Sequence, residues 1–311
     1  ADALRVSLGE RPDGKWSAFE VALIVSRQNG KGSVLEARAL AGLLLFDERL
    51  IMWTAHELKT AMEAFRRVEA LFDSCSDLRK RVKSVSHANG AEGIELRNGA
   101  RLRFVARSKG SGRGFSGDTV ILDEAYALTS EQLEALMPTM SARPNPQIWY
   151  TSSPPLDPVA GAQLFSVRKR GLTGTDPALA YMDWGIEGDL ANLSALDLDD
   201  RALWAAANPA YRIRVSEEFI SRERAAMSPE GFARERLGVW PAEPSEGWQV
   251  ISEEVLRSRV DVNSRAEDPV AFAFDVTPDR KWAAIAVAGR RTDGGLHVEL
   301  VKHDPGTGWV A

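Results

Sequence analysis

The chain is poor in cysteine and has no long apolar run. Its single cysteine, Cys75, excludes an intramolecular disulfide and a cysteine-based metal site. One cysteine also fits a reducing, cytoplasmic compartment. No apolar stretch reaches the roughly 18 residues of a membrane-spanning helix, so we expect no membrane span. The net charge of −5 argues weakly against a nucleic-acid partner, although clustered basic residues can outweigh it locally.

Apolar runs and helical periodicity alternate through the first half of the chain. Because such alternation forms βα units, it predicts an α/β fold with a parallel sheet and helices on both faces. An Asn98-Gly99 pair between the alternating arms of residues 92–106 predicts a hairpin whose two turn positions both have positive φ. The predicted strands are Phe19–Val25, Leu50–Thr54, Asp118–Glu124 and Gln147–Thr151, and the predicted helices are 34–46 and 59–72.

The second half of the chain has a different pattern. Residues 176–200 are acidic, and Ser216–Leu237 is predicted to be one helix with Ser216 as its N-cap. Pro241–Gly247 is typical of a linker between domains. Three apolar runs separated by turn-rich segments then predict an antiparallel meander. These runs are Ala271–Val276, Trp282–Val287 and Leu296–Val301.

A polar segment with the sequence SRQNGKGS follows the first predicted strand and precedes a predicted helix. This context suits a phosphate-binding loop, because the N–H groups at a helix N-terminus bind anions. Gly30 would allow the tight turn, Lys31 would neutralise phosphate charge, and the Ser33 hydroxyl would bind Mg²⁺. No glycine opens the segment and Gly32 follows the lysine, so an ordinary polar turn is the alternative.

The apolar strand VILDE ends in two adjacent carboxylates, Asp123 and Glu124. In nucleoside triphosphatases the first acid holds Mg²⁺ and the second activates the attacking water. Alone, this motif is equally typical of a strand followed by a charged cap. Both motifs end parallel strands, so they are expected at one sheet edge, where such folds bind ligands.

Residues 78–117 are strongly basic within an acidic chain, with ten Lys or Arg and two acids. Such clustering favours contact with a phosphate backbone, which is independent of base sequence. A subunit interface with the acidic residues of a neighbour is the alternative. The candidate contact residues are Arg79, Lys80, Arg81, Lys83, Arg101 and Arg103.

The order and spacing of the segments SRQNGKGS, WTAHELKTAMEAF, GSGRGFSGDTVILDEAYAL and WYTSSPP resemble the large terminase subunit of tailed bacteriophages. This family comprises DNA-packaging ATPases that are also nucleases. The resemblance implies a P-loop (ASCE-type) ATPase core at residues 1–170. It further implies a lid and linker subdomain at 171–245 and the first strands of an incomplete RNase H-like nuclease domain at 246–311.

By position, the resemblance implies roles for individual residues. Asp123 matches the metal-holding acid, Glu124 the catalytic glutamate and Asp275 the first nuclease ligand, whose partner ligands are expected beyond Ala311. Arg113 matches an arginine finger that reaches a neighbour's ATP, and Arg27 is a rival for that role. The ATP-binding residues implied are Arg27, Gln28, Asn29, Gly30, Lys31, Gly32 and Ser33, and the coupling residues are Thr151, Ser152 and Ser153.

The resemblance also implies cofactors, partners and a location. ATP and Mg²⁺ would serve the motor, and two divalent ions (Mg²⁺ or Mn²⁺) the nuclease of the complete protein. Double-stranded DNA, the portal protein and the small terminase subunit would be its partners in a ring, usually a pentamer. The expected location is the host cytoplasm, outside the mature virion. A helicase-like nucleic-acid translocase and a non-catalytic nucleotide-binding scaffold are the alternatives.

Overall fold

An eight-stranded sheet forms the centre of the first of two compact units, which divide the chain after Pro244. The structure is a computed structural model that describes residues 2–107, 116–243, 251, 253–277 and 280–310. The strands of the large sheet are β1 (Glu20–Ile24), β2 (Leu50–Ala55), β3 (Val82–Ser86), β4 (Gly93–Leu96), β5 (Arg101–Ala106), β6 (Thr119–Asp123), β7 (Gln147–Ser152) and β8 (Leu179–Asp183).

The helices of the first unit lie before, between and after these strands along the chain. They are α1 (Asp2–Ser7), α2 (Lys31–Leu44), α3 (Leu58–Ser74), α4 (Ser76–Arg81), α5 (Ser130–Met140), α6 (Ala162–Thr173), α7 (Arg201–Ala207), α8 (Glu217–Ala226) and α9 (Pro229–Glu235). Two apolar clusters pack on the sheet, one containing side chains of α2 and α3 and the other side chains of α5 and α6. This arrangement confirms the predicted α/β fold.

The strand order is β3-β4-β5-β2-β6-β7-β1-β8. Neighbouring strands in the part of this order from β5 to β8 are all parallel. The pairs β3–β4 and β4–β5 are antiparallel. The central strands β1, β2 and β7 are buried along their whole length, which explains why they occur as apolar runs without alternation. The sheet includes β8, so it extends past the predicted boundary at residue 170, which falls inside α6.

The predicted helix over residues 216–237 is wrong in its extent, because the structure breaks it into α8 and α9. Ser216 caps α8 as predicted and accepts a hydrogen bond from the Phe219 amide. Ser228 then caps α9 and Pro229 occupies its first turn. Proline has no N–H and clashes with the preceding turn, which explains why a new helix starts here.

The hairpin predicted around Asn98-Gly99 is confirmed as β4 and β5, but its turn differs. Only Gly99 has positive φ, at 85°. The Asn98 side chain accepts a hydrogen bond from the Ala100 amide at 3.0 Å. One left-handed glycine at the end of a three-residue turn is the second common solution for joining antiparallel strands.

The second unit contains the predicted antiparallel meander. Strands β9 (Glu267–Val276), β10 (Trp282–Arg290) and β11 (Leu296–Pro305) follow α10 (Glu253–Arg259), with β10 in the middle of the sheet. Among the helices that the structure describes in either unit, none is long and apolar enough to cross a bilayer.

A buried arginine connects the segments at the amino ends of the parallel strands of the large sheet. Arg38 of α2 is 0% exposed and pairs with Glu48, which is 6% exposed, at 2.6 Å. Its guanidinium also donates to Thr119 Oγ1 at 2.6 Å and to Gln147 Oε1 at 3.0 Å. A charge so fully removed from water is tolerated because each side of the guanidinium has a partner.

Removal of the Glu48 carboxylate should destabilise the first unit strongly. We expect Glu48→Ala to lower the free energy of unfolding by about 3–5 kcal/mol, because Arg38 is left buried without its counter-ion. Urea unfolding followed by tryptophan fluorescence measures this. The matched control is Glu218→Ala, which breaks an exposed pair with Arg222 and should change little. Equal effects of the two variants would contradict the role given to Arg38.

Candidate nucleotide-binding site

The carboxyl ends of β1, β6 and β7 open onto one cleft of about 830 Å³. β7 lies between β1 and β6, so the segments that follow these three strands are brought side by side. Ligands of open parallel sheets bind outside these strand ends. The cleft is lined by Arg27, Gln28, Gly30, Lys31, Gly32, Ser33, Glu36, Thr60, Arg67, Asp123, Glu124, Tyr126, Thr151, Ser152, Ser153, Arg214, Val215, Ser216, Phe219 and Arg236.

The polar loop after β1 turns directly into α2. Gly30 has φ 86° and ψ 12°, a left-handed conformation that glycine adopts without a steric cost, and it caps the helix. α2 begins at Lys31, so Gly32 and Ser33 lie in the first turn, where backbone N–H groups have no partner within the helix. A helix start of this kind, lining a cleft, is suited to binding phosphate.

Lys31 is folded back on the end of its own strand. Its Nζ donates to the carbonyl of Val25 at 2.5 Å and to the carbonyl of Ser26 at 3.0 Å. Burial lowers the pKa of Lys31 to about 8, against the opposing effect of the Asp123 carboxylate and with a smaller contribution from Arg27. The ammonium group therefore lies in the cleft with a weakened preference for its charged form.

The glycine after the lysine lies beside an ion pair between two helices. A Cβ added at Gly32 would lie 3.1 Å from Nη2 of Arg67, which is closer than an ordinary carbon contact. Arg67 of α3 pairs with Glu36 of α2 at 2.6 Å, and both side chains line the cleft. Gly32 thus leaves room for an ion pair between two helices at the entrance of the cleft.

The two acids at the end of β6 have different environments. Asp123 Oδ1 accepts hydrogen bonds from the Thr151 hydroxyl at 2.9 Å and from the Glu124 amide at 3.0 Å. Glu124 has φ 54°, an uncommon conformation for a non-glycine residue. Its Oε1 accepts from the Thr60 hydroxyl at 3.1 Å, whereas its buried Oε2 has no hydrogen-bond partner within the described ranges. Glu124 is thus held by one oxygen only.

The three predicted coupling residues lie between the acids and the polar loop after β1. Thr151 and Ser152 end β7, and Ser153 follows it. Thr151 binds Asp123, and the Ser152 hydroxyl accepts from the Tyr126 amide at 3.1 Å. The β7 end therefore contacts both the acid at the end of β6 and the segment that follows it.

Arg107, which follows β5 directly, binds the backbone of the two acids. The sequence did not indicate it as a site residue. Its guanidinium donates to the carbonyl oxygens of Asp123 at 2.6 Å and Glu124 at 2.7 Å, and more weakly to Thr54. Burial lowers the pKa of Arg107 to about 10, although Asp123 and Glu124 oppose the shift. The side chain is only 8% exposed, so Arg107 does not belong to the basic surface.

Oxygen ligands suited to magnesium meet in this cleft. Asp123 supplies a carboxylate and Ser33 a hydroxyl, and Mg²⁺ prefers such ligands together with water and substrate phosphate. No group of three or more His, Cys, Asp or Glu residues able to hold a metal occurs among the residues that the structure describes. The donors present therefore fit a metal that arrives with phosphate oxygens.

The remaining predicted site residues have different positions. Arg113 falls outside the described residues. Arg27 lines the cleft, and its Nε lies 3.7 Å from Oε2 of Glu235. Asp275 lies on β9 in the second unit with an exposed side chain. The six predicted basic contact residues lie on α4, β3 and β5, near the β3 edge of the sheet.

Several of these basic residues have acidic partners within the same surface. The pairs are Arg79 with Asp73, Lys80 with Asp77 and Lys83 with Glu95. Arg101 is exposed on β5, while Arg103 donates to the carbonyl of Gly90. Local pairing thus reduces the excess positive charge that the sequence indicates, and the side chains remain accessible to solvent.

The sheet order and the cleft define an α/β fold with a largely parallel sheet and a ligand cleft at the carboxyl ends of its strands. The chain has a large terminase-like fold. It superposes on the large terminase of bacteriophage HK97 with a TM-score of 0.63 and 20% identity over 93% of this chain and 59% of that one. The chain thus spans about three fifths of the HK97 protein. No protein-family model matches the chain, and neither does any curated protein sequence.

The large terminase of a thermophilic bacteriophage is also similar. It aligns with a TM-score of 0.53 and 12% identity, over 99% of this chain and 68% of that one. A second structure of the same thermophilic phage protein, in complex with ADP, gives a TM-score of 0.51 and 12% identity over 91% and 63% of the two chains. At these identities the comparisons establish the fold.

Removal of the Arg107 guanidinium should destabilise the first unit. We expect Arg107→Met to lower the free energy of unfolding by about 3 kcal/mol, because the partly buried carbonyls of Asp123 and Glu124 lose charged donors. Urea unfolding measures the change. Arg101→Met, at the exposed first position of the preceding strand, is the control and should have little effect. A loss no larger than that of the control would show that Arg107 does not hold the acids.

Proposed function

We propose that the chain is the ATPase motor of a large terminase, which hydrolyses ATP to move double-stranded viral DNA into procapsids. The observation that carries the proposal is the cleft in which the phosphate-binding loop, Asp123-Glu124 and Thr151 meet on adjacent parallel strands. The large terminase-like fold supports the family, and the relative that was solved with ADP supports nucleotide as the ligand.

Several residues of the cleft have a task in hydrolysis. The loop N–H groups and Lys31 bind the phosphates, and Asp123 with Ser33 would hold Mg²⁺, which neutralises phosphate charge when bound. Glu124 orients the attacking water and accepts its proton through Oε2, the oxygen without a partner among the described residues. Thr60 and Arg107 hold the carboxylate and the backbone of Glu124 in place.

The remaining parts of the proposal follow the resemblance. Arg79, Lys80, Arg81, Lys83, Arg101 and Arg103 contact the DNA backbone or a neighbouring subunit. Arg113 is the catalytic arginine and reaches the nucleotide of a neighbouring subunit, with Arg27 as the alternative for that role. The motor works as a ring, usually a pentamer, on the portal with the small subunit, in the host cytoplasm. In the complete protein, Asp275 binds one of two divalent ions of an endonuclease.

Replacement of the Glu124 carboxylate tests the proposal. We expect Glu124→Gln to reduce the rate of ATP hydrolysis by about 10²–10⁴-fold, since the amide cannot accept a proton from water. Affinity for MgADP should stay within a few fold of the wild-type value. Phosphate release and calorimetric titration measure the two quantities.

The control for this substitution is Glu187→Gln, at an exposed position outside the cleft lining. It should hydrolyse ATP as the wild type does. Hydrolysis that is unchanged in Glu124→Gln would contradict the catalytic assignment. A wild-type chain that binds MgADP but never hydrolyses ATP would indicate a nucleotide-binding scaffold instead.

The pKa of Lys31 predicts proton uptake on nucleotide binding. At pH 8.5, just above its pKa of about 8, Lys31 is mainly neutral in the free protein. Bound phosphates favour the ammonium form and raise this pKa, so binding of MgADP should take up a fraction of a proton. Titration calorimetry in two buffers with different ionisation enthalpies measures the uptake.

The same titration at pH 6.5 is the control for this effect. Lys31 is already protonated in the free protein at this pH, so the uptake should be much smaller. An uptake that does not decrease from pH 8.5 to pH 6.5 would contradict the proposed contact between Lys31 and phosphate.

A further inference from the structure

A helical segment at residues 184–240, which we call the lid segment, reaches the phosphate-binding loop from far along the chain. It has its own apolar core, which includes Trp204, Phe232 and Leu237. Two of its polar side chains are almost fully buried, Asn208 at 1% and Arg236 at 4% exposed. Buried polar groups need partners, and in this case several of the partners belong to the loop.

Asn208, at the end of α7, joins the two parts through its side-chain amide. Its Oδ1 accepts hydrogen bonds from Ser26 Oγ at 2.8 Å and from Asn29 Nδ2 at 2.9 Å. Its Nδ2 donates to the carbonyls of Trp204 at 2.9 Å and Arg236 at 3.0 Å. The oxygen therefore binds the loop and the nitrogen binds the lid segment, so the amide cannot move relative to either without losing contacts.

Asn29 makes the reciprocal contact from the loop. Its Oδ1 accepts from the amide of Ala210 at 3.0 Å, and its Nδ2 also donates to Ser26 Oγ at 2.8 Å. The residues on either side, Gln28 and Gly30, both have positive φ, at 64° and 86°. Gln28 has no glycine-like freedom, so this conformation needs support from outside the loop.

Arg236 completes the connection. It forms a double ion pair with Glu223 of α8, at 2.7 and 2.6 Å. Its Nη1 lies 3.3 Å from Asn208 Oδ1 and 3.4 Å from the carbonyl of Arg27, and donates to both. The guanidinium thus lies between α8 of the lid segment and the first half of the loop.

We propose that Asn29, Asn208 and Arg236 are positioning residues that hold the phosphate-binding loop in the shape that binds nucleotide. This inference rests on the proposed function. The loop lacks an opening glycine, and its shape depends on contacts with the lid segment instead. Preorganised N–H groups bind an anion with less loss of conformational freedom, so nucleotide affinity depends on these contacts.

A double-mutant cycle between Asn29 and Asn208 tests the proposal. The dissociation constant of MgADP is measured for the wild type, Asn29→Ala, Asn208→Ala and the double variant, with thermal stability recorded without nucleotide. We expect each single change to raise the dissociation constant about tenfold. The double change should raise it no further than the more affected of the two single variants, because the same contact is lost.

Two further variants keep the result interpretable. Asn192→Ala removes an exposed asparagine of the same lid segment whose side chain, among the residues that the structure describes, accepts hydrogen bonds from Ser194 alone, and it should leave the affinity unchanged. If Asn208→Ala does not fold, Asn208→Ser, whose shorter side chain cannot span both partners, replaces it in the cycle and is interpreted in the same way.

The outcomes separate this inference from the proposed function. A wild type that does not bind MgADP overturns the proposed function. A wild type that binds, with variants that are less stable but bind equally well, overturns the positioning role alone. Single effects that multiply in the double variant also overturn it, because independent losses show that the two side chains do not act through one contact.

Discussion

The parallel pairing of β6, β7 and β1 is the constraint on which the rest of the site depends. Asp123 is in register with Thr151, and Thr151 with Leu23, so the three strands end within a residue or two of one another. Side chains alternate between the faces of a sheet, and a slip of one residue would turn each of them to the other face. The buried apolar faces prevent such a slip, so core packing determines where the chemical groups lie.

Buried polar side chains then fix the loops that follow these strands. Arg107 binds the backbone of the two acids, and Asn208 binds the loop after β1. Both are nearly inaccessible to water, where an unpaired polar group is costly, so each permits few arrangements of its partners. The left-handed conformations of Gln28 and Glu124 occur next to these contacts. The sheet edge that carries the cleft is thus supported on one side by Arg107, which follows β5, and on the other by the lid segment.

Most of the fold and the central part of the site could be predicted from the sequence, because they depend on local patterns. The apolar runs predicted the strands, and the polar motifs at their ends predicted the cleft. The prediction of one continuous helix over 216–237 was wrong, because Ser228 and Pro229 start a new helix. In the sequence, Arg107 is one of the basic residues of the stretch 78–117. Its burial could not be predicted, because it follows from the pairing of β5 with β2. The contact of Asn208 with the loop carries no local signal, because its partners there lie about 180 residues away.

By itself, the sequence determined the kinds of elements and the residue types at their ends, because hydrophobic periodicity and turn chemistry act over a few residues. It also indicated that Lys31, Asp123 and Glu124 lie at or beyond the carboxyl ends of strands of one parallel sheet. Only the tertiary structure decided which strand lies between β1 and β6, and which buried amides and guanidinium groups support the loops. These features depend on contacts between residues far apart in the chain, which form only when the whole unit packs.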